Sequence, residues 1–217
     1  MYFVKTPKVI KHIFPTFKWD QPSDSKEIFL TFDDGPIPEV TPWVLEQLAK
    51  YNAKASFFCV GDNVRKYPEV FAMVLNEGHV IGNHTFNHLN GWHTDADEYL
   101  NNVDKCSEYF QSSLFRPPYG KISRRQSQII SASHTIIMWD VLSGDFDQSI
   151  SKEICLQNVL SFTKSGSIVV FHDNIKSREK LEFVLPIVLE YFSNLGYKFS
   201  RLEATKKPEV IRELVSA

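Results

Sequence analysis

Glu27-Ile28-Phe29-Leu30-Thr31-Phe32-Asp33-Asp34-Gly35-Pro36 is the stretch on which the fold turns: six residues rich in β-branched and aromatic side chains run straight into an acidic turn. Such side chains favour a strand, and Asp, Gly and Pro end one. The same unit recurs downstream. Glu39 to Tyr51 carries Val40, Trp43, Val44, Leu45 and Leu48 on a helical stripe. Lys54 to Val60 reads as a second strand, and Pro68 to Asn76 as a helix opened by its proline, with Gly78 just past its end. Further strands are expected at His79 to Ile81, Leu114-Phe115, Thr135 to Trp139, Ser167 to Phe171 and Gly196 to Phe199. Helices are expected at Asp95 to Phe110, Ile122 to Ala132, Ser151 to Lys164 and Arg178 to Leu195. Strands alternating with helices predict an α/β fold with a parallel sheet, either open or closed into a barrel. The alternation alone does not choose between them.

With 217 residues, the chain suits one domain. We divide it into a lead-in (1–25) read as a solvated strand or turn, a catalytic domain (26–200), and a tail (201–217) with a short helix around Pro208 to Val215. Hydrophobic residues at 43% and charged residues at 23% are those of an ordinary globular protein. A formal net charge of -2 gives no reason to expect nucleic acid as a partner. Cys59, Cys106 and Cys155 are odd in number and widely spaced, so neither a thiolate metal site nor a disulfide framework is indicated. Cys59 reads as a buried strand residue. No stretch reads as a secretory signal or a membrane span, so the expected location is cytoplasmic. An oligomeric state is not legible.

The polar residues that stand out follow the strands: Asp33 and Asp34, His84 and His88, Arg116, Asp140 and Asp145, His172 and Asp173. In parallel α/β folds such strand ends share one face, where ligands bind. His84 and His88, four apart, would place two imidazoles on one side of a helical turn. Two histidines and a carboxylate make a metal site with room for water. Taken alone, His-x-x-x-His is more often two surface histidines, and Asp-Asp-Gly-Pro is good turn chemistry without catalysis. Arg116 could likewise be an ordinary surface cation. At an acidic rim, though, its fixed donors suit a carboxylate. His172 titrates near neutrality and suits a general acid. His12, His79, His93 and His134 read as structural or solvated.

Five segments in order, Thr31-Phe32-Asp33-Asp34-Gly35, His84-Thr85-Phe86-Asn87-His88, Arg116-Pro117-Pro118-Tyr119-Gly120, Trp139-Asp140-Val141 through Asp145, and Val169-Val170-Phe171-His172, resemble the motifs of the polysaccharide deacetylases, the NodB-homology domain of carbohydrate esterase family 4. The resemblance spans roughly Lys26 to Phe199. It implies a distorted (β/α)7 barrel and a divalent metal, usually zinc, with cobalt as another candidate. It implies Asp33 as general base, held by Arg116, with Asp34, His84 and His88 as metal ligands. His172 would be the general acid, positioned by Asp145, and the Tyr119 backbone N–H would help bind the oxyanion. Trp139 and Val170 would line the acetyl pocket. Phe146 stands where the family usually has Trp, so an aromatic wall survives with a different shape.

The function so implied is metal-dependent hydrolysis of N-acetyl (or O-acetyl) groups from a sugar or polysaccharide, with an acetylated sugar or oligosaccharide as partner. Two alternatives stand beside it. One is a deformylase or amidase of the same fold acting on a lipid-linked amino sugar. The other is an inactive carbohydrate-binding domain, which would not need a base beside a metal.

Overall fold

In the computed structural model, residues 2–203 are described, so the helix expected around 208–215 lies outside them. The strands are β1 (Glu27–Asp33), β2 (Ser56–Cys59), β3 (Val80–Asn83), β4 (Leu114–Phe115), β5 (Thr135–Ile136), β6 (Val141–Leu142), β7 (Ile168–His172) and β8 (Lys198–Phe199). The helices are α1 (Lys8–Ile13), α2 (Thr41–Lys50), α3 (Gly61–Lys66), α4 (Pro68–Asn76), α5 (Ala96–Ser107), α6 (Arg124–Ser133), α7 (Lys152–Phe162) and α8 (Arg178–Asn194). Seven strands pair in the order β5-β4-β3-β2-β1-β7-β6, every ladder parallel, and β8 pairs with the start of β1.

The expected seven-stranded (β/α) barrel is therefore present, with one exchange in its membership. β8, expected as the seventh strand, lies off the path, and β6, unforeseen, takes that place. Two residues are too few to display a period.

β1 alternates as a barrel strand must. Ile28, Leu30 and Phe32 join the large core cluster with Val44, Leu45 and Leu48 of α2 and Val184, Leu185 and Val188 of α8. Phe29 faces the other way and clusters with Phe58, Leu114, Ile137 and Ile168 from around the sheet. Convergence of residues from β1, β2, β4 and β7 on one interior cluster is what curls the sheet.

Local chemistry sets the helix starts. Pro42 and Pro68 occupy first-turn positions of α2 and α4. Asp95 and Ser151 cap α5 and α7 through their side chains, and Ser123 with Gln126 forms a capping box on α6.

The segment before β1 departs from the reading as a solvated strand or turn. It forms α1 and is stitched between the sheet's two edges. Lys18 pairs with Ile137 in parallel and Lys5 with Val141 in antiparallel. Met138 N–H donates to Lys18 O at 2.7 Å, and Leu142 N–H to Val4 O at 2.8 Å. Trp19 is buried against Tyr99, Val103 and Ile136. No described helix is long and apolar enough to cross a membrane.

Candidate active site

Strand register assembles the first half of the site. Across the β1–β7 ladder Thr31 lies beside Val170 and Asp33 beside His172. Alternation then puts all four side chains on the inner face. Leu142 of β6 lies beside Val170. A cavity of about 700 Å³ opens at these strand ends, lined in part by Asp33, Asp34, His84, His88, His172 and Asn174.

Arg116, at the end of β4, is fully buried, which removes the surface-cation reading. Its Nη1 donates to Asp33 Oδ1 at 2.6 Å and to Thr31 Oγ1 at 2.8 Å. Nε and Nη2 donate to the carbonyls of Ile137 and Met138 at 3.2 and 3.1 Å. The guanidinium carbon sits 4.0 Å from the centre of the Phe58 ring. A buried cation is tolerable when it is paired and its donors are used. Burial pulls its pKa down while Asp33 opposes the fall, and a guanidinium stays charged. Asp33 thus spends Oδ1 on Arg116. Among the described residues none donates to its Oδ2.

Asp34 turns away from its neighbour because its backbone is left-handed, at φ 81. Asn63 Nδ2 donates to its carbonyl at 2.8 Å and Asn174 Nδ2 to its Oδ2 at 2.6 Å. Oδ1 faces His88 Nε2 at 3.0 Å and His84 Nε2 at 3.6 Å. The two histidines do not sit on a helical turn as their spacing suggested. Residues 84–88 are irregular, with Thr85 and His88 at φ 62 and 57. Asn102 Oδ1 accepts from the N–H groups of Phe86 and Asn87 at 2.8 Å each, which holds the loop. The imidazole centres end 5.1 Å apart.

Three observations fit a cation here. His84 Nδ1 donates to the Arg116 carbonyl at 2.7 Å, which leaves Nε2 as the bare nitrogen of a neutral ring. That lone pair faces a carboxylate oxygen, and Asp34 Oδ1 is buried without a hydrogen-bond partner. One donor atom from each of Asp34, His84 and His88 lies within 4.8 Å of the other two. Two imidazoles and a carboxylate opening on a cavity form a hydrolytic metal-site donor set.

His172 is fastened twice to Asp145. Its N–H donates to Oδ2 and its Nδ1–H to Oδ1, both at 2.7 Å, which leaves Nε2 for the cavity. Burial alone would lower its pKa, but Asp145, with smaller help from Asp34 and Asp33, pushes it up to about 10. The imidazole therefore holds a proton at neutral pH. Arg116 and Asp145 stand behind Asp33 and His172, while Tyr119, Trp139, Phe146 and Val170 line the cavity directly. Tyr119 is 61% exposed at the rim, with φ 60 and Oη 3.1 Å from His88 Nδ1.

Two acids expected at the rim are elsewhere. Asp140 is buried towards the N-terminal segment, where it pairs with Lys5 and Lys11 and accepts from Ser167 Oγ. Asp173 lies beneath the first turn, accepting from Gly35 N–H at 3.1 Å and hydrogen-bonded to Thr41 Oγ1 at 2.6 Å. Burial, with smaller help from Asp34, lifts its pKa to about 8. A Cβ on Gly35 would come within 2.0 Å of Asp173 Oδ2, so only glycine permits this approach.

Sequence reasoning missed Asn174, Leu142 and Tyr2. Asn174 was findable, because it ends the His172-Asp173-Asn174 turn. Leu142 belongs to the missed strand, and nothing in the local sequence marks Tyr2.

Comparison with known proteins gives a consistent result. Residues 20–135 match the family model described as polysaccharide deacetylase. Two peptidoglycan-N-acetylglucosamine deacetylases of Bacillus cereus are similar. One is 36% identical over 72% of this chain, the other 34% identical over 87%. The chain spans 59% of the length of the first and 93% of the second. A crystal structure of a peptidoglycan N-acetylglucosamine deacetylase in complex with 4-naphthalen-1-yl-N-oxidanyl-benzamide superposes with a TM-score of 0.82 at 31% identity. That match covers 91% of this chain and 95% of the other.

Proposed function

The chain belongs to the polysaccharide deacetylase family, and we propose that it hydrolyses the N-acetyl group of an N-acetylglucosamine-containing glycan, releasing acetate. The observation that carries this reading is the division between adjacent carboxylates. Asp33 is bound to a buried guanidinium and Asp34 faces two imidazoles, both on the cavity that His172 shares.

Asp34, His84 and His88 would hold the metal, with zinc the proposed ion. When bound, a divalent ion supplies Lewis-acid polarisation of the acetyl carbonyl and a lowered pKa for water. Asp33 accepts the proton of the attacking water at Oδ2, since Arg116 holds Oδ1. The Tyr119 backbone N–H is assigned to the oxyanion that develops on the acetyl carbonyl. His172 protonates the departing amine from Nε2, with Asp145 fixing the ring through Nδ1. Trp139, Leu142 and Val170 receive the methyl group, and Phe146 walls the sugar side.

Acetate release from N-acetylglucosamine oligomers, peptidoglycan and acetylated xylan, with and without a chelator, tests the proposal. Release from a glucosamine-containing substrate that stops on chelation and returns with zinc is expected. Metal-loaded protein that releases acetate from none of the three overturns it.

A further inference from the structure

Tyr2 reaches the active site from the opposite end of the chain. Its hydroxyl donates to Asp147 Oδ2 at 2.8 Å, 145 residues away in sequence. Burial first, then the Asp147 carboxylate, raises its pKa far above neutrality, so the hydroxyl keeps its proton and remains a donor. Its ring centre lies 5.2 Å from that of Phe146, and the Phe146 ring stands edge-on to His172 at 5.1 Å. The hydroxyl also closes over Gly144, where an added Cβ would lie 3.0 Å from it. Tyr2 is itself part of the cavity wall.

The segment that carries Tyr2 is built in rather than draped. Leu142 N–H donates to Val4 O at 2.8 Å, Thr6 N–H to Asp140 O at 3.0 Å, and Thr6 Oγ1 to Trp139 O at 2.7 Å. These bonds extend the sheet past β6 and set Tyr2 over the loop holding Asp145, Phe146 and Asp147. Asp145 within that loop fixes His172 through two hydrogen bonds.

We infer that Tyr2 is a positioning residue for His172. Its hydroxyl clamps the 144–147 loop through Asp147, and its ring presses Phe146 onto the imidazole, so that Nε2 meets the leaving amine in a dry setting. The inference rests on the deacetylase reading. A packed ring that keeps water off the imidazole preserves the geometry of proton transfer, which is sensitive to small displacements. Phe146 alone, with no partner behind it, would leave that side open.

Acting through the general acid makes the effect depend on the leaving group. An acetamide on a sugar needs its departing amine protonated, whereas an aryl acetate expels a phenolate that does not. Tyr2→Ala should lower kcat on an N-acetylglucosamine oligomer by ~10–10²-fold, with KM moving less than about threefold. Its loss on an aryl acetate should be at least about fivefold smaller. Tyr2→Phe, which keeps the ring and loses only the clamp, should fall about 2–5-fold and so recover most of the rate. The His172 Nδ1 proton, followed by NMR and assigned with His172→Ala, should exchange with water several-fold faster in Tyr2→Ala than in the wild type.

Equal losses on amide and aryl ester, a loss confined to KM, or unchanged proton exchange would overturn the role of Tyr2. Were Tyr2→Ala not to fold, the amide-to-ester ratio and the exchange rate of Tyr2→Phe decide in the same direction. Wild-type protein inactive on every acetamide sinks the deacetylase reading and with it the positioning of an acid. Wild-type activity matched by the variants sinks the Tyr2 inference alone.

Discussion

Asp33 and Asp140 are both buried, and both are neutralised by cations from distant parts of the chain, yet the two pairs are built on different plans. Asp33 meets one guanidinium whose side chain is completely enclosed and whose other donors go to Thr31, Ile137 and Met138. Asp140 meets two lysines that retain 31% and 20% of their side-chain exposure. A planar guanidinium bonded on several sides has one orientation, whereas an ammonium on a flexible stem can follow its partner. The difference follows the work each pair does. As the proposed base, Asp33 would have to present one oxygen to the cavity in a fixed position. Asp140 has only to tie a segment across the open seam of the sheet, a task that tolerates play.

The largest effect should come from breaking the rigid pair. Arg116→Met leaves Asp33 charged in the interior and strips donors from three acceptors. Breaking one partner of a buried pair costs ~3–5 kcal/mol. Urea unfolding at neutral pH measures this directly. A loss below about 1 kcal/mol would mean that water reaches Asp33 and that the enclosure described above is not what holds it.

Next comes Asp33→Asn, which keeps the shape of the pair and removes the proposed base. Turnover should fall by ~10³-fold, about 4 kcal/mol of barrier, with metal content unchanged. Asp34→Asn should instead weaken metal affinity, because an amide oxygen is a poorer ligand for a dication than a carboxylate. Acetate release together with elemental analysis separates the two. Rescue of Asp33→Asn by excess zinc would mean that the adjacent acids are joint ligands.

What could be read from the sequence follows how far each feature is local. β1, β2 and β7 announce themselves because their apolar runs are long enough to show composition, whereas the Ser123–Gln126 box that starts α6 went unread and the expected helix began at Ile122 instead. The cluster of Asp34, His84 and His88 was legible as residue types, but its geometry was not. His84 and His88 meet through a loop with two left-handed residues instead of a helical turn, and backbone sign is not encoded in side-chain spacing. Asp140 looked like a rim acid because it follows a strand. It points to the seam because Lys5 and Lys11 wait there, and their contact lies 135 and 129 residues away in sequence. α3 went unread because it has no side-chain cap and runs only six residues.

Loosening the flexible pair should cost less. Asp140→Asn removes the charge facing Lys5 and Lys11, and both lysines can turn towards water. We expect a loss of ~1–2 kcal/mol in urea unfolding, typical of a charged hydrogen bond whose partners are not stranded. Turnover should drop less than in Arg116→Met, because the seam lies behind the cavity wall. A loss as large as that of Arg116→Met would erase the distinction between the two pairs.

The smallest effect is the pH dependence of that loss, and it tests whether the seam is held by charge at all. Burial would raise the Asp140 pKa, but hydrogen bonds from Lys11, Lys5 and Ser167 hold it below its usual value of 3.8. Burial would lower the Lys11 pKa, but Asp140 and Asp20 lift it above 10.5. A carboxylate depressed on folding contributes stability that is present above its unfolded pKa and is lost as pH falls through the folded one. A lysine raised on folding contributes below its unfolded pKa and loses that contribution as pH climbs through the folded one. The clasp is therefore at full strength from roughly pH 5 to 9, and the gap between wild type and Asp140→Asn should be flat across that window. Below about pH 4 the carboxylate of the unfolded chain takes up a proton, and the contribution is lost fully only once pH has fallen through the lower pKa of the folded Asp140, so the gap should narrow as pH drops from about 5 towards 3. Paired urea titrations at pH 7 and pH 3 measure it, and subtracting the variant cancels every other acid in the chain. A gap that persists undiminished at pH 3 would show that Asp140 holds the seam by shape and hydrogen-bond count alone, with the two lysines as bystanders.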